Sequence, residues 1–152
     1  MGTESERVSA MSRDEDRINS LVAEVRVLEN TYNELSSRQN LLERILVESR
    51  SSLETIKGLS DTASGPVEEV LVPVGGGILL RASPPKTDKV LLNIGANVVV
   101  EKTKEAATSF MEARASELEE DIVAIATQRS QIAQRLDSDR RALQNMVNRQ
   151  GQ

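Results

Sequence analysis

The chain contains no Cys, no His and no Trp, and it has one Phe and one Tyr. Without Cys and His it has no disulfide, no thiol nucleophile, none of the usual nitrogen and sulfur ligands of zinc, and not the commonest general base. Aromatic residues make up 1% of the sequence, so the bulky side chains that fill compact globular cores are almost absent. We therefore predict an elongated protein that is not an enzyme, with no catalytic residues, no metal site and no cofactor.

The charge and hydropathy of the chain limit its partners and its location. The net charge is −5 at pH 7, which argues against nucleic acid, because phosphate binding depends on clustered Lys and Arg. The sequence has no uninterrupted apolar run of about 18 residues, the length that indicates a membrane-spanning helix. Residues 1–12 also contain no apolar core of a signal peptide. We expect a soluble, cytoplasmic protein that binds neither nucleic acid nor a membrane.

Gly and Pro, which interrupt helices, are concentrated in the middle of the chain. Ten of the twelve are Gly58, Gly65, Pro66, Pro73, Gly75, Gly76, Gly77, Pro84, Pro85 and Gly95, whereas residues 13–57 and 104–148 contain neither. We predict one domain over residues 1–152. Within it we expect a first coiled-coil helix over 13–58, β-structure over 67–101 and a second coiled-coil helix over 104–148.

Both predicted helices carry a seven-residue repeat of mainly apolar residues. The first seam consists of Ile18, Leu21, Val25, Leu28, Tyr32, Leu35, Gln39, Leu42, Leu46, Ser49, Leu53 and Ile56. The second consists of Met111, Ala115, Leu118, Ile122, Ile125, Arg129, Ile132, Leu136, Asp139, Leu143 and Met146. A 3.5-residue period kept over this length predicts a left-handed supercoil. Because each helix has about 45 residues, roughly 70 Å, we expect the two to pair as an antiparallel hairpin.

Local signals mark the ends and the interruptions of these helices. Ser12 and Glu15 form a capping-box pattern at the start of the first helix, and Gly58 is the expected C′ residue after its last turn. Thr103 is the expected N-cap of the second helix. Four polar residues interrupt the seams, where they either fix the register or loosen the packing: Gln39, Ser49, Arg129 and Asp139.

The segment between the helices predicts two β-hairpins. Residues 70–74 and 78–80 flank Gly75-Gly76-Gly77, and residues 90–94 and 98–100 flank Gly95-Ala96-Asn97. The strands are apolar on both faces, whereas a sheet with one solvated face alternates apolar and polar residues. Two hairpins of this size are also too small to be stable alone or to leave such strand edges open in water. We predict that the hairpins pair with another subunit, in a mainly helical α+β fold that has both hairpins between the helices.

The start of the first helix and the end of the second form what we call the open end. Its apolar residues are Val8, Met11, Ile18, Leu143, Met146 and Val147. Because Met adapts to irregular apolar partners, the open end is a candidate surface for exposed hydrophobic segments of other proteins. The alternative is a frayed coiled-coil end. Nearer the strands, Leu41, Ile45 and Val47 widen the apolar stripe, which indicates packing against the hairpins or against a neighbouring subunit.

Two segments of the β-region carry a family resemblance. They are Glu69-Val70-Leu71-Val72-Pro73-Val74-Gly75-Gly76-Gly77 and Lys89-Val90-Leu91-Leu92-Asn93-Ile94-Gly95-Ala96-Asn97-Val98-Val99-Val100-Glu101-Lys102. Both closely resemble the β-region of archaeal prefoldin alpha subunits. The order of helix, two hairpins and helix extends the resemblance over the whole chain. The two hairpins separate the alpha type from the beta type, which has one.

The resemblance implies a hexamer of two alpha and four beta subunits, in which the hairpins build a double β-barrel platform around the alpha pair. It assigns to oligomerisation Val70, Leu71, Val72, Val74, Ile78, Leu80, Val90, Leu92, Ile94, Val98 and Val100. It also implies that the open end binds non-native polypeptides without ATP. Such a chaperone prevents aggregation and delivers its clients to a group II chaperonin.

Two other classes of protein share parts of this pattern. A structural coiled-coil adaptor or spacer also oligomerises through hairpins, and it has no effect on the aggregation of other proteins. The arm of a nucleic-acid-handling ATPase also has long paired helices. That class lacks a β-region of this kind or carries a zinc hook, and this chain has no Cys.

Overall fold

The structure is a computed structural model that describes residues 4–60, 69–84 and 88–150, with side chains for 11–59, 69–84 and 88–149. The elements, in chain order, are α1 (Glu4–Ser60), β1 (Val70–Gly75), β2 (Ile78–Ala82), β3 (Lys89–Gly95), β4 (Val98–Thr103) and α2 (Lys104–Gln150). This order confirms the predicted mainly helical α+β fold with two β-hairpins between two long helices.

The chain divides into two compact units, each with residues from both helices. The helical unit consists of Met1–Glu43 and Glu120–Gln152, and the strand unit consists of Arg44–Glu119. All four strands therefore lie in the strand unit.

In the helical unit, α1 and α2 pack through the predicted heptad residues. Each seam residue of this unit, from Ile18 to Leu42 and from Ile122 to Met146, is buried or half-buried. Arg135 Nη2 lies 2.9 Å from Glu24 Oε1, and Arg140 Nη2 lies 2.6 Å from Glu29 Oε1. Arg129, which precedes Arg140 in α2, contacts Gln39, which follows Glu29 in α1. The helices are therefore antiparallel here, as predicted.

The helical parts of the strand unit pair in the same way. Leu46 and Ala115 are buried, and Ala107 has no exposed surface. Arg50 Nη2 contacts Glu119 Oε1 at 2.7 Å, and Lys57 Nζ contacts Glu112 Oε1 at 2.7 Å. About half of each of these charged side chains is exposed, and exposed ion pairs contribute about 1 kcal/mol or less. The apolar seam therefore supplies most of the stability.

The structure corrects two of the predicted helix ends and confirms a third. Ser12 does not begin α1, which starts at Glu4, because Glu, Ser and Arg have moderate to good helix propensity and no breaker precedes Ser12 closely. Gly58 is not a C′ residue with positive φ; it lies inside α1, where Gly costs about 1 kcal/mol relative to Ala. At α2, the backbone N–H of Ala106 donates to Thr103 Oγ1 at 3.2 Å, so Thr103 is the N-cap.

The two hairpins have the same register. In the first, Pro73 pairs with Leu79 and Gly75 with Ile78. In the second, Asn93 pairs with Val99 and Gly95 with Val98. Subtracting equivalent positions (93 − 73 = 20) shows that the second hairpin repeats the first 20 residues later, with a bulge at the same place in each.

The turns of both hairpins require left-handed backbone. Gly76 and Gly77 have φ values of 59° and 79°, and the equivalent Ala96 and Asn97 have φ values of 47° and 60°. Two consecutive positive φ values are those of a type I′ turn, which matches the twist of the strands. Gly and Asn tolerate this conformation, whereas Ala does so at a cost of about 1 kcal/mol.

The polar interruption of the seam at Arg129 is a set of interhelical hydrogen bonds. Arg129 Nη1 donates to Gln39 Oε1 at 2.8 Å, and Nη2 donates to the Tyr32 hydroxyl at 2.9 Å. The guanidinium carbon lies 4.9 Å from the centroid of the Tyr32 ring, within the range of a cation–π contact. These directional contacts support register control over local loosening.

Asp139, at the other polar position in this part of α2, is 4% exposed and accepts a hydrogen bond from Arg135 Nε at 3.1 Å. The hydrogen bond to Glu24, followed by the charge of Asp139, raises the pKa of Arg135 above its ordinary value. Because the pKa is higher in the folded than in the unfolded state, the charge of Arg135 stabilises the fold at any pH below the unfolded pKa. This stabilisation is lost only as the pH rises through the folded pKa. Arg135 therefore stays charged throughout the physiological range.

We predict that Gln39→Leu lowers the free energy of unfolding by about 1–2 kcal/mol, because it leaves the half-buried Arg129 without one of its acceptors. The double change Gln39→Leu with Arg129→Leu should recover most of this loss, since it removes donor and acceptor together. Urea unfolding followed by circular dichroism measures both. The control is Gln131→Leu on an exposed position of α2, which should change the stability by less than about 0.5 kcal/mol. A double variant as unstable as the single one would contradict the account.

We predict that Ala96→Gly raises the local stability of the second hairpin by about 1 kcal/mol, because Gly adopts positive φ without the cost that Ala carries. The matched change is Gly76→Ala at the equivalent turn position. A Cβ at Gly76 meets no atom within 4 Å, so its effect is conformational alone, and it should lower the stability of the first hairpin by a similar amount. Amide hydrogen exchange of the strand residues measures both changes. Equal exchange rates in the variants and the unchanged chain would show that the turns do not limit hairpin stability.

Candidate functional site

The hairpins expose an unusual amount of aliphatic surface. Ten large aliphatic side chains on the four strands are exposed: Leu71, Val72, Val74, Ile78, Leu79, Leu80, Leu91, Ile94, Val98 and Val99. The most exposed is Leu91, at 77%. Single exposed aliphatic residues are normal in proteins, but a concentration of them on short strands is typical of an interaction surface. We call these ten residues the strand surface.

The two hairpins differ in how many faces are open. In β1 and β2, residues on both faces are exposed, as Leu71 and Val72 show. In β3 and β4, Val90, Leu92 and Val100 are half-buried, whereas Leu91 on the opposite face is exposed. The second hairpin is therefore partly covered on one face, and the first is open on both.

The predicted oligomerisation residues also differ in exposure, in both hairpins. Val70, Val90, Leu92 and Val100 are half-buried within the chain. The others are exposed, namely Leu71, Val72, Val74, Ile78, Leu80, Ile94 and Val98. Sequence reasoning missed three exposed members of the strand surface, Leu79, Leu91 and Val99. Their signal was present, because they lie in the same apolar runs on the alternate face of each strand.

Strand edges add a second open feature to this surface. Within the described residues, β1 pairs with β2 and β3 pairs with β4, in two separate sheets of two strands. A two-stranded sheet leaves each strand with an edge of backbone groups that can pair with another chain. The apolar side chains and the edges together make each hairpin suited to sheet formation with a partner.

Charged side chains lie at the end of each hairpin away from its turn. Arg81 Nη1 lies 3.2 Å from Glu69 Oε2, and Lys89 Nζ lies 3.6 Å from Glu101 Oε2. Half or more of each of these side chains is exposed. The aliphatic residues therefore occupy the part of each hairpin nearer its turn. The strand surface ends at the charged pairs, at the opposite end of each hairpin.

The open end is only partly covered. Ile18, Leu143 and Met146 are half-buried, as their seam positions require. Met11 is 64% exposed and Val147 is 49% exposed. The side chain of the sixth predicted residue, Val8, lies outside the described ones.

The seam opens between Ile18 and Met11. Met11 precedes Ile18 by one heptad (18 − 11 = 7) and so occupies an equivalent core position. It is nevertheless exposed, and so is Asp14, the seam position between them. The structure therefore provides an apolar side chain at a core position without covering it.

The predicted widening of the apolar stripe at Leu41, Ile45 and Val47 also has exposed members. In the helical unit Leu41 is 48% exposed, and in the strand unit Val47 is 67% exposed, whereas Ile45 is half-buried. With 67% of Val47 exposed, the hairpins of the same chain do not cover this residue. Packing against a neighbouring subunit stays a prediction.

The described residues contain neither a cluster of metal ligands nor a membrane-spanning helix. They include no group of three or more His, Cys, Asp or Glu that could hold a metal ion. Neither α1 nor α2, over its described part, combines enough length with enough apolar character to cross a bilayer.

Comparisons with known proteins match this architecture to one family. A family model described as prefoldin subunit matches residues 28–149. The prefoldin subunit alpha of Nitrosopumilus maritimus is 30% identical over 133 residues, which cover 88% of this chain and 90% of the relative. The prefoldin subunit alpha of Methanospirillum hungatei is 32% identical over 115 residues, which cover 75% of this chain and 72% of the relative.

A solved structure shows the same fold. The cryo-EM structure of filamentous PFD from Methanocaldococcus jannaschii contains a chain that matches with a TM-score of 0.62 and 24% identity. The match covers 76% of this chain and 94% of that chain. The family model and the relatives span both helices and both hairpins, and on this ground the chain belongs to the prefoldin alpha-subunit family.

Proposed function

We propose that the chain is an ATP-independent chaperone subunit that assembles through its strand surface, binds non-native polypeptides at its open end and delivers them to a group II chaperonin. Prefoldin subunits are chaperones and not enzymes, and they assemble with other prefoldin subunits. The proposed assembly is a cytoplasmic hexamer of two copies of this chain and four beta subunits.

The strand surface is the observation that carries the assembly part of the proposal. A two-stranded sheet is marginally stable by itself, and both sheets of this chain expose aliphatic side chains. Burying one Val, Leu or Ile fully contributes about 1.5–3 kcal/mol. Ten such residues on four strands therefore provide a large gain in free energy when partner strands cover them, and a correspondingly large aggregation hazard when none do.

The open end supports the client-binding part of the proposal. Met11 and Val147 expose apolar surface, and Met adapts its shape to different apolar groups. Contacts of this kind are weak one at a time. When several subunits engage one client, the contacts add up by avidity, yet each is released readily.

A structural adaptor or spacer is the second candidate, because the strand surface by itself fits any protein that oligomerises through hairpins. The exposed Met11 favours the chaperone over this alternative, since a spacer gains nothing from an uncovered apolar side chain at a core position. The two candidates differ in a direct assay, because a spacer does not affect the aggregation of an unfolded protein.

We predict that the assembly of this chain with its beta partner suppresses the aggregation of a guanidinium-denatured enzyme at stoichiometric amounts without ATP. The change Met11→Asp with Val147→Asp should weaken this suppression several-fold, because charge at the open end opposes apolar binding. Light scattering after dilution of the denatured enzyme measures the effect.

The matched control is Val27→Asp with Val123→Asp in the helical unit. These residues are 63% and 65% exposed, so the control adds the same charge to similarly exposed apolar positions outside the open end. Suppression that falls equally in both variants would contradict the assignment to the open end. An assembly that leaves the light scattering unchanged would contradict the chaperone proposal.

We predict that Val72→Asp with Leu91→Asp disperses the assembly into smaller species, because the unpaired carboxylates would have to be buried between subunits. Both residues are exposed in the chain, so the helices should keep their circular dichroism. Native mass spectrometry of the co-expressed subunits measures the outcome. An intact hexamer would show that these positions lie outside the subunit contacts, and the Val27→Asp and Val123→Asp control should leave the assembly intact.

A further inference from the structure

We infer that Met11 is a preferred site of oxidation by peroxide, and that its conversion to the sulfoxide lowers the capacity of the open end to bind clients. The first half of this inference depends only on the chemistry and exposure of the side chains. The second half rests on the proposed function of the open end.

The composition of the chain directs peroxide to methionine. The side chains that mild oxidants attack most readily are thiols and thioethers, and the chain has no Cys and four Met. No competing thiol can therefore consume the oxidant within this subunit, which makes the exposure of each thioether the deciding factor.

Exposure differs sharply among the described methionines. Met11 is 64% exposed. Met111 and Met146 are half-buried, because they occupy seam positions that α1 covers. Susceptibility to oxidation follows exposure, so Met11 should react before Met111 and Met146. Met1 lies outside the described residues.

The reaction is a two-electron oxygen transfer. A lone pair of the Met11 sulfur attacks one oxygen of hydrogen peroxide, the O–O bond breaks, and an S–O bond forms. The leaving hydroxide takes the proton from the transferred oxygen and becomes water. Sulfur is thereby oxidised and peroxide is reduced. Reversal requires a methionine sulfoxide reductase and a thiol reductant.

The position of Met11 gives this reaction a consequence. It is an exposed apolar side chain at a core position where the seam opens, with the charged and exposed Asp14 as the next seam residue. Conversion of the thioether to a sulfoxide replaces a flexible apolar group with a polar one. Met11 is more exposed than Val147. Oxidation therefore removes apolar character from the most accessible apolar side chain that the structure describes at the open end.

The test begins with mapping. The assembled protein is titrated with hydrogen peroxide, desalted, digested and analysed by mass spectrometry. We expect sulfoxide to form at Met11 several-fold faster than at Met111 and Met146. Equal or slower oxidation of Met11 would overturn the inference, whatever the protein does to clients.

The second measurement is client holding. Desalted samples, treated and untreated, are mixed with guanidinium-denatured citrate synthase, and each variant is compared with its own untreated sample. We expect treatment to reduce suppression of light scattering several-fold in the unchanged protein and in Met111→Leu, but not in Met11→Leu. Untreated Met11→Gln, which carries a polar group of similar size, should behave like the oxidised protein.

The outcomes separate this inference from the proposed function. If the untreated assembly holds no client, the proposed function and the second half of the inference both fail, and the mapping still decides the first half. Another outcome is that the untreated assembly holds clients while treatment reduces the suppression of light scattering equally in Met11→Leu and in the unchanged protein. Oxidation then acts at another residue, and the second half of the inference is wrong.

Discussion

The apolar seam between the antiparallel helices is the interaction on which the rest of the structure depends. No large side chain among the described residues is completely enclosed. The buried residues among them are few, namely Leu46, Ser49, Ala107, Ala115, Ile125, Leu136 and Asp139. A core one side chain deep gains its stability from the number of seam positions, since each contributes only its own buried area. A shift of register within the helical unit would affect Ile125, Leu136 and Asp139 at once, which gives the polar contacts of Arg129 their importance.

Arg129 and Asp139 show how the seam combines stability with specificity. A buried polar group costs free energy unless it is hydrogen-bonded, and Arg129 meets most of that cost through Gln39 and Tyr32. Its Nε atom is buried without a partner among the described atoms, so the cost is not fully offset. Leu at position 129 would stabilise the seam, but it would not restrict the alignment of the two helices. The hydrogen bonds of Arg129 reach two residues of α1 one heptad apart (39 − 32 = 7), which restricts the alignment of the helices.

The scarcity of bulky residues also explains the hairpins. The strands have no large aromatic side chain to cover them. The strand unit leaves most of their aliphatic side chains exposed and covers one face of the second hairpin only in part. Membership of the prefoldin alpha-subunit family accounts for this surplus of apolar surface, because its members are subunits of an assembly. In the proposed assembly, strands of other chains cover these exposed aliphatic residues.

The sequence by itself determined the secondary structure, the seams and the family, because periodicity and turn chemistry are local properties. The seam residues from Ile18 to Ile56 and from Met111 to Met146 are all buried or half-buried, and both turns lie where Gly75 and Gly95 indicated. The tertiary structure decided what local signals cannot specify. Ser12 and Gly58 carry cap signals that the surrounding helix overrides, since the propagation of a long helix outweighs one weak cap. Only the packing of α2 on α1 decided that Met146 is covered and Met11 is not, because exposure depends on which residues of the other helix lie opposite.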